Sequence, residues 1–283
     1  MMGVVQHPAS DHATYLSKWN LSNPVLLAET PTSMVWKVRH QSGEPAVLKL
    51  LKLQGLPQEA DGADFLEWRD GNGCAKLLKR EHTVFLIEYV GDYTLRDHLI
   101  ATSDKAATFI ICDVIANIHS DVASTPPSCL PQLKEYCAGL FRKATTDRNA
   151  GNSGLITKAA DLLQNLITEQ RDIRPLHGDI HHRNIMLSKS RGWLAIDPGS
   201  LMADPVFETA NVFFNPDEME NMVENPARIQ YLAETFGSLL NRSTKSILQY
   251  GFIYACLSAS WAEEDGRNAT SRLRAAEMMN GML

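Results

Sequence analysis

A chain of 283 residues, 44% of them hydrophobic, is long enough for two lobes with separate cores and has the composition of a soluble globular protein. Its net charge of -6 argues against a nucleic-acid partner, which needs a basic surface to neutralise phosphates. No apolar run approaches the roughly 20 residues of a membrane span. The opening MMGVVQHPASDHATYLSKWN lacks a basic head followed by an apolar core, so no membrane partner and a cytoplasmic location are expected.

The first ninety residues read as strands. NPVLLAET and SMVWKVRH are short, rich in β-branched and aromatic residues, and QSGE before PAVLKLLKL is a hairpin turn signal. A helix follows with Trp68 near its end, the DGNG turn stops it, and CAKLLKR and TVFLIEYV read as two more strands. The pattern predicts a five-stranded antiparallel sheet with one helix over residues 1–90.

After GDYTL the spacing changes. Ile111, Val114, Ile115 and Ile118 recur at i, i+3, i+4 and i+7, one buried face of a helix. Further helices are expected at 156–170, 226–240, 244–262 and 267–280, with strand signals only around 184–197, so residues 91–283 read as a mainly helical lobe. The five cysteines are widely spread and read as reduced, mostly buried thiols. Residues 201–283 carry 11 acidic and 6 basic side chains, so five of the six excess negative charges lie in this last third, where they could attract a cationic ligand or simply form a solvated surface.

The densest chemistry is LHGDIHHRN, residues 176–184. A transition-metal cage suits it poorly, because His181 and His182 are adjacent and no third ligand follows at the usual spacing. A dinuclear phosphoesterase shares the GDxH fragment but needs further ligand groups that are not evident, and histidines satisfied at a strand end are a purely structural option. Phosphoryl transfer fits best, since Asp179 and Asn184 have the D-x-x-x-x-N separation of a kinase loop, with a histidine two places before the aspartate. Downstream, NIML, SKSRG and WLAIDP read as a strand, a turn and a returning strand. Asn184 and Asp197 are then expected opposite each other, sharing Mg2+ through oxygen ligands.

The N-terminal half offers matching parts. In AVLKLLKL, Lys49 shares a strand face with Val47 and Leu51, where a bare ammonium is costly to bury unless an anion such as a nucleotide phosphate meets it. Glu59, rather than Glu67, is expected to orient that lysine. Backbone groups of Glu88 and Val90 are candidates for an adenine edge. No glycine-rich loop is present, and Thr32 and Ser33 stand in its place, where backbone N-H groups and the Ser33 hydroxyl are the expected phosphate ligands.

Taken together, LHGDIHHRNIML, SRGWLAIDP, TSMVWKV, GADFLEWRDGNGCAKLL and LSASWAEEDG resemble the aminoglycoside phosphotransferases, in particular the streptomycin 6-phosphotransferase and hydroxyurea-kinase branch. The resemblance implies a protein-kinase-like bilobal α+β fold and transfer of the ATP γ-phosphoryl group to a hydroxyl of a small molecule. On that pattern Asp179 is the catalytic aspartate, Asn184 and Asp197 the magnesium ligands, Lys49 the phosphate lysine, Glu59 its partner, and His181 a contact to the transferring group. ADPVFETA looks like the family's GDPxxDxA element, which braces the catalytic loop, with Ala203 for the glycine and Glu208 for the aspartate. Arg183 stands where relatives often have an acidic residue.

A cationic aminoglycoside acceptor would suit carboxylates, because guanidinium groups pair with them bidentately. Glu208, Asp217, Glu218, Glu263, Glu264 and Asp265 are the candidates for that acceptor site, and Trp261 either stacks on a cation or packs between helices. Hydroxyurea as acceptor is the alternative within this chemistry. A binding-only pseudokinase is the alternative outside it, opposed by the retention of Lys49, Asp179, Asn184 and Asp197.

Overall fold

A computed structural model describes residues 12–52 and 56–283, and for residues 56–59 the backbone alone. After helix α1 (His12–Trp19) come strands β1 (Ser22–Glu29), β2 (Ser33–Arg39) and β3 (Pro45–Leu51), helix α2 (Leu56–Arg69), and strands β4 (Leu77–Glu81) and β5 (Val84–Glu88). The strands form one antiparallel sheet in the order β1-β2-β3-β5-β4. Alternation along each strand sorts the side chains. Trp36, Val38, Ala46, Leu48, Leu50, Val84 and Leu86 form one buried layer with Trp19 and Leu21, while Leu51 and Phe85 pack with Ala63 of α2 on the other face. α1 departs from the all-strand expectation for this region. The apolar run of β1 does make a strand, but at the sheet edge, where Val25, Leu26 and Leu27 remain 58%, 51% and 49% exposed.

α2 links the sheet to the later elements of the chain. Gly62 lies against the Asp197-Pro198 turn so closely that a Cβ there would stand 2.3 Å from the Pro198 carbonyl oxygen. At the end of α2 the Arg69 side chain is fully buried, and among the described residues no carboxylate pairs with it. Its guanidinium instead donates to Ser120 O at 2.8 Å and Asn117 O at 2.9 Å, carbonyls at the C-terminal end of a neighbouring helix, and Nε donates to Asn72 O at 2.9 Å. Such carbonyls have no partner within their own helix and carry its negative dipole end, so an arginine there is compensated.

That helix, α4 (Asp104–Ile118), follows α3 (Leu95–Ala101) and precedes α5 (Leu133–Tyr136), α6 (Ala138–Asn149) and α7 (Leu155–Glu169). α3 is capped by Thr94 and Asp97 in a capping box and α4 by Ser103. Four short strands come next: β6 (Arg174–Leu176), β7 (Ile185–Ser188), β8 (Gly192–Ala195) and β9 (Leu201–Ala203). β7 pairs with β8 as expected, and β6 pairs with β9, a ribbon the sequence pattern did not reveal. A 3-10 helix spans Pro205–Phe214, then α8 (Glu220–Val223), α9 (Pro226–Leu240), α10 (Thr244–Glu264) and α11 (Thr270–Met282) complete the chain. α10 is the central post, buried along most of its length and packed against α6, α7, α9, α11 and the 3-10 helix. Among the described residues no helix is long and apolar enough to cross a membrane.

Candidate active site

The loop between β6 and β7 carries Asp179, and the chain on both sides of it is held rigidly. Gly178 takes φ +77°, and a Cβ there would meet Leu201 Cδ2 at 2.6 Å, so both backbone and space favour glycine. His177 is fully buried; its Nε2-H donates to Ile196 O at 2.9 Å, which leaves Nδ1 to accept the Asp179 N-H at 3.3 Å. One neutral ring thus ties the Asp179 backbone to the end of β8, and burial lowers its pKa accordingly.

Glu208, on the 3-10 helix, completes the support from below. It is 1% exposed and accepts the N-H of Gly178 at 2.8 Å and of His177 at 2.9 Å, with His119 Nε2 3.2 Å away. This is the bracing role expected of the ADPVFETA element, so the longer glutamate still reaches. It rules out the other expectation for Glu208, because a carboxylate enclosed and fully used inside the protein offers nothing to an acceptor. A 3-10 helix has three residues per turn, so Asn211 shares the Glu208 face. Its Nδ2 donates to Asp179 Oδ1 at 2.7 Å, and Asn215 Nδ2 donates to Asn211 Oδ1 at 2.8 Å. Asn211 carried no sequence signal beyond that spacing.

Asn184 Nδ2 donates to Asp179 Oδ2 at 2.8 Å and to Asp179 O at 3.0 Å. With its nitrogen so used, the side-chain carbonyl oxygen is the atom that Asn184 could offer to a cation. Asp179 has its pKa raised well above the usual carboxylate value by burial and by repulsion from Asp197, with the amides of Asn184 and Asn211 pulling the other way.

The β-ribbon register differs by one place from expectation. Ile185 pairs with Ala195 and Ile196 N-H donates to Asn184 O at 2.8 Å, so Asn184 faces Ile196 and Asp197 lies one residue beyond. The spacing argument assumed an even turn, whereas an odd number of residues, 189–191, links Ser188 to Gly192. Asp197 adopts φ +58°, a left-handed conformation that ends the strand. Its Oδ1 is 2.5 Å from Lys49 Nζ. Burial works to raise the Asp197 pKa, but the charge and hydrogen bond of Lys49 outweigh it and leave it lowered. Lys49 itself is 7% exposed, on the strand face expected for it. The Glu59 side chain lies outside the described residues.

His181 and His182 diverge. His181 Nδ1 accepts the Arg183 N-H at 3.2 Å, so the neutral ring carries its proton on Nε2, 3.7 Å from Asp179 Oδ2, and burial first and His177 second push its pKa down to about 4. His182 is fully enclosed, and burial pushes it down to about 3. Among the described residues no group of three or more His, Cys, Asp or Glu is placed to hold a metal ion.

Towards the sheet, Ala75, Val90 and Leu194 form an apolar cluster with Ile87, Met186 and Ile196. The Glu88 N-H is already given to Lys76 O at 2.8 Å, and its carboxylate accepts from the Lys76 N-H and Arg191, so neither can meet a base edge. Ser33 departs further from expectation. It is 3% exposed, and the N-H groups of Thr32 and Ser33 both donate to Thr30 Oγ1, at 3.2 and 2.9 Å, so this turn satisfies itself and presents no phosphate cradle.

The aminoglycoside/hydroxyurea antibiotic resistance kinase family model matches residues 18–266. The chain belongs to this family of small-molecule kinases. It is 31% identical over 255 residues to the streptomycin 3''-kinase of Klebsiella pneumoniae, covering 89% of this chain and 92% of that protein. The hydroxyurea phosphotransferase of Kitasatospora aureofaciens is 30% identical over 72% of this chain and 60% of its own length. The streptomycin 6-kinase of Streptomyces glaucescens is 29% identical over 68% and 62%. The fold is that of a thermostable mutant of the aminoglycoside phosphotransferase APH(4)-Ia in ternary complex with ADP and hygromycin B, with a TM-score of 0.63 at 13% identity over 95% of this chain and 97% of that one. The choline kinase LicA from Streptococcus pneumoniae matches with a TM-score of 0.63 at 14% identity over 96% and 100%. Both the kinase-like architecture and the family expected from the sequence are therefore borne out.

Against this family background the remaining carboxylates form two separate groups. Glu218 Oε1 accepts from Arg96 and, at 2.7 Å, from Arg183. Burial works to raise its pKa, but the two arginines hold it down at about 2. Asp217 lies 3.7 Å from Arg272. Glu263, Glu264 and Asp265, at the end of α10, pair instead with Lys143, Arg142 and Arg267. Trp261 packs edge-on against Tyr136 and Tyr254, the helix-packing role, and Tyr136 OH donates to Gly178 O at 3.2 Å.

Proposed function

We propose that this chain transfers the γ-phosphoryl group of ATP to a hydroxyl of a streptomycin-type aminoglycoside. The observation that carries the reading is the convergence of four groups: Asp179, the freed carbonyl of Asn184, Asp197, and Lys49 2.5 Å from Asp197. An amide oxygen and a carboxylate are hard oxygen donors of the type magnesium takes, and with bound nucleotide that ion would offset charge on the phosphates.

Lys49, now paired with Asp197, would also meet the phosphates. The apolar cluster around Val90 and Leu194 would take the adenine, with the Glu88 carbonyl and Val90 N-H along its edge. Asp179 would orient the acceptor hydroxyl and accept its proton. Asn184 and Asn211 fix the direction of both its oxygens. His181, neutral with its proton on Nε2, would supply a hydrogen-bond donor rather than a charge. Among the relatives, the streptomycin 3''-kinase matches over 92% of its length and the 6-kinase over 62%, which favours the 3''-hydroxyl over the 6-hydroxyl.

The test is to incubate the purified chain with Mg-ATP and, separately, streptomycin, hygromycin B and hydroxyurea, following ADP release and product mass. Streptomycin-dependent ADP release with a product heavier by one phosphoryl group is expected, and NMR of the product assigns the hydroxyl. Turnover with hydroxyurea alone would move the reading to that acceptor. No acceptor-dependent turnover would overturn it.

A further inference from the structure

The Glu218 carboxylate is tied to the loop that carries Asp179, because Arg183, next to Asn184, donates to its Oε1 at 2.7 Å. Two residues before Arg183, the His181 ring lies 3.7 Å from Asp179 Oδ2, so Glu218 is held against the same loop as the reacting aspartate. A single oxygen of Glu218, Oε1, holds two guanidinium groups, and they are not equivalent. The Arg96 side chain is 28% exposed, and the residue is fixed by its N-H donating to His182 O at 3.0 Å. The Arg183 side chain is 55% exposed.

Resting on the reading of a guanidinium-bearing acceptor, we propose that Glu218 is the subsite for the acceptor's guanidinium and that Arg183 is its resident occupant, displaced when the acceptor binds. An incoming guanidinium makes the same N-H to carboxylate contacts that Arg183 makes, so the exchange conserves the chemistry of the pair. An exposed ion pair is worth little, so Arg183 is readily released. The other carboxylates are less suited. Arg272, opposite Asp217, is 18% exposed and tied to Ser258 Oγ at 2.8 Å, and Arg142, opposite Glu264, is as open as Arg183 but neither member of that pair lies on the loop that carries Asp179.

The experiment is calorimetric titration of streptomycin into the full-length chain with Mg-ADP, in parallel with the turnover assay. Arg183→Ala should tighten binding by up to about fivefold, the worth of an exposed ion pair, and Arg183→Lys by less. Glu218→Gln should weaken it by about tenfold, as for a lost charged hydrogen bond. In the Glu218→Gln background most of the gain from Arg183→Ala should be lost, leaving only the relief of repulsion between two cations. Tightening of the same size without Glu218, binding unchanged or weaker in Arg183→Ala, or no streptomycin binding by either chain overturns the proposal. Tightening without turnover would leave the subsite standing and remove the phosphotransfer reading. Turnover with binding indifferent to Arg183 would do the reverse.

Discussion

Replacing Glu208 by glutamine keeps its volume and removes its charge. In the native structure Oε1 takes the Gly178 N-H while Oε2 takes the His177 N-H and faces His119. A glutamine has one acceptor oxygen, so whichever way the amide turns, one buried backbone N-H meets an NH2 group. An orphaned buried donor costs about 1–3 kcal/mol, and the surviving bond loses its charge assistance, so Glu208→Gln should destabilise the protein by about 2–4 kcal/mol. For a chain of this size that is a melting-temperature drop of roughly 4–16 °C. The pH dependence has a definite sign. Burial works to raise the Glu208 pKa, but His119 first, and then His177 and the Gly178 N-H, leave it lowered. A lowered folded-state pKa means that the stabilisation is complete above the ordinary glutamate range and is lost as pH falls through the lower folded value. Differential scanning fluorimetry of both proteins from neutral to acid pH should therefore show curves far apart at pH 7 that converge towards acid. Coincident curves at pH 7, or a gap that widens on acidification, would refute the claim that this carboxylate is charged and braces the loop.

Asn211→Ala removes the donor to Asp179 Oδ1 without touching the nucleotide side. Steady-state kinetics should show kcat reduced roughly 10- to 100-fold, the usual cost of a misaligned reacting group, with the larger loss in kcat rather than in the ATP KM. A change confined to the ATP KM would contradict the positioning role. Gly62→Ala forces a methyl to within 2.3 Å of Pro198 O, so α2 or the Asp197 turn must move. Overpacking costs about 1–3 kcal/mol, against which alanine's better helix propensity returns about 1 kcal/mol. A lower melting temperature together with weaker Mg-ATP binding is expected, and a more stable variant would mean that the close approach is unimportant.

Much of the site was readable because its parts are local. Asp179 and Asn184 lie on one short loop, and a strand-turn-strand pattern brought Asp197 back to them. The register slipped by one because a period-two argument cannot tell an even turn from an odd one, and the left-handed turn at Asp197 has no sequence mark. β6 and β9, with three residues each, are too short for alternation to register. α3 and α6 were missed because one is short and the other has few apolar residues on a face. Residues that act across the fold left no local trace. His119 reaches Glu208, Asn211 reaches Asp179, and Arg69 enters the end of α4 only after the helices have packed. The acidic excess near the C-terminus was visible as composition, but the ion pairs of Glu218, Glu263 and Glu264 depend on Arg96, Arg183, Lys143 and Arg142 from earlier in the chain.

The central claim is that Asn184 and Asp197 together grip a divalent ion on the nucleotide. Electron paramagnetic resonance of Mn2+ with ATP measures this directly. The native protein should take Mn-ATP into a slowly tumbling bound form, and Asp197→Asn should lose that signal at the same concentrations while remaining folded. An unchanged bound spectrum in Asp197→Asn would contradict the account.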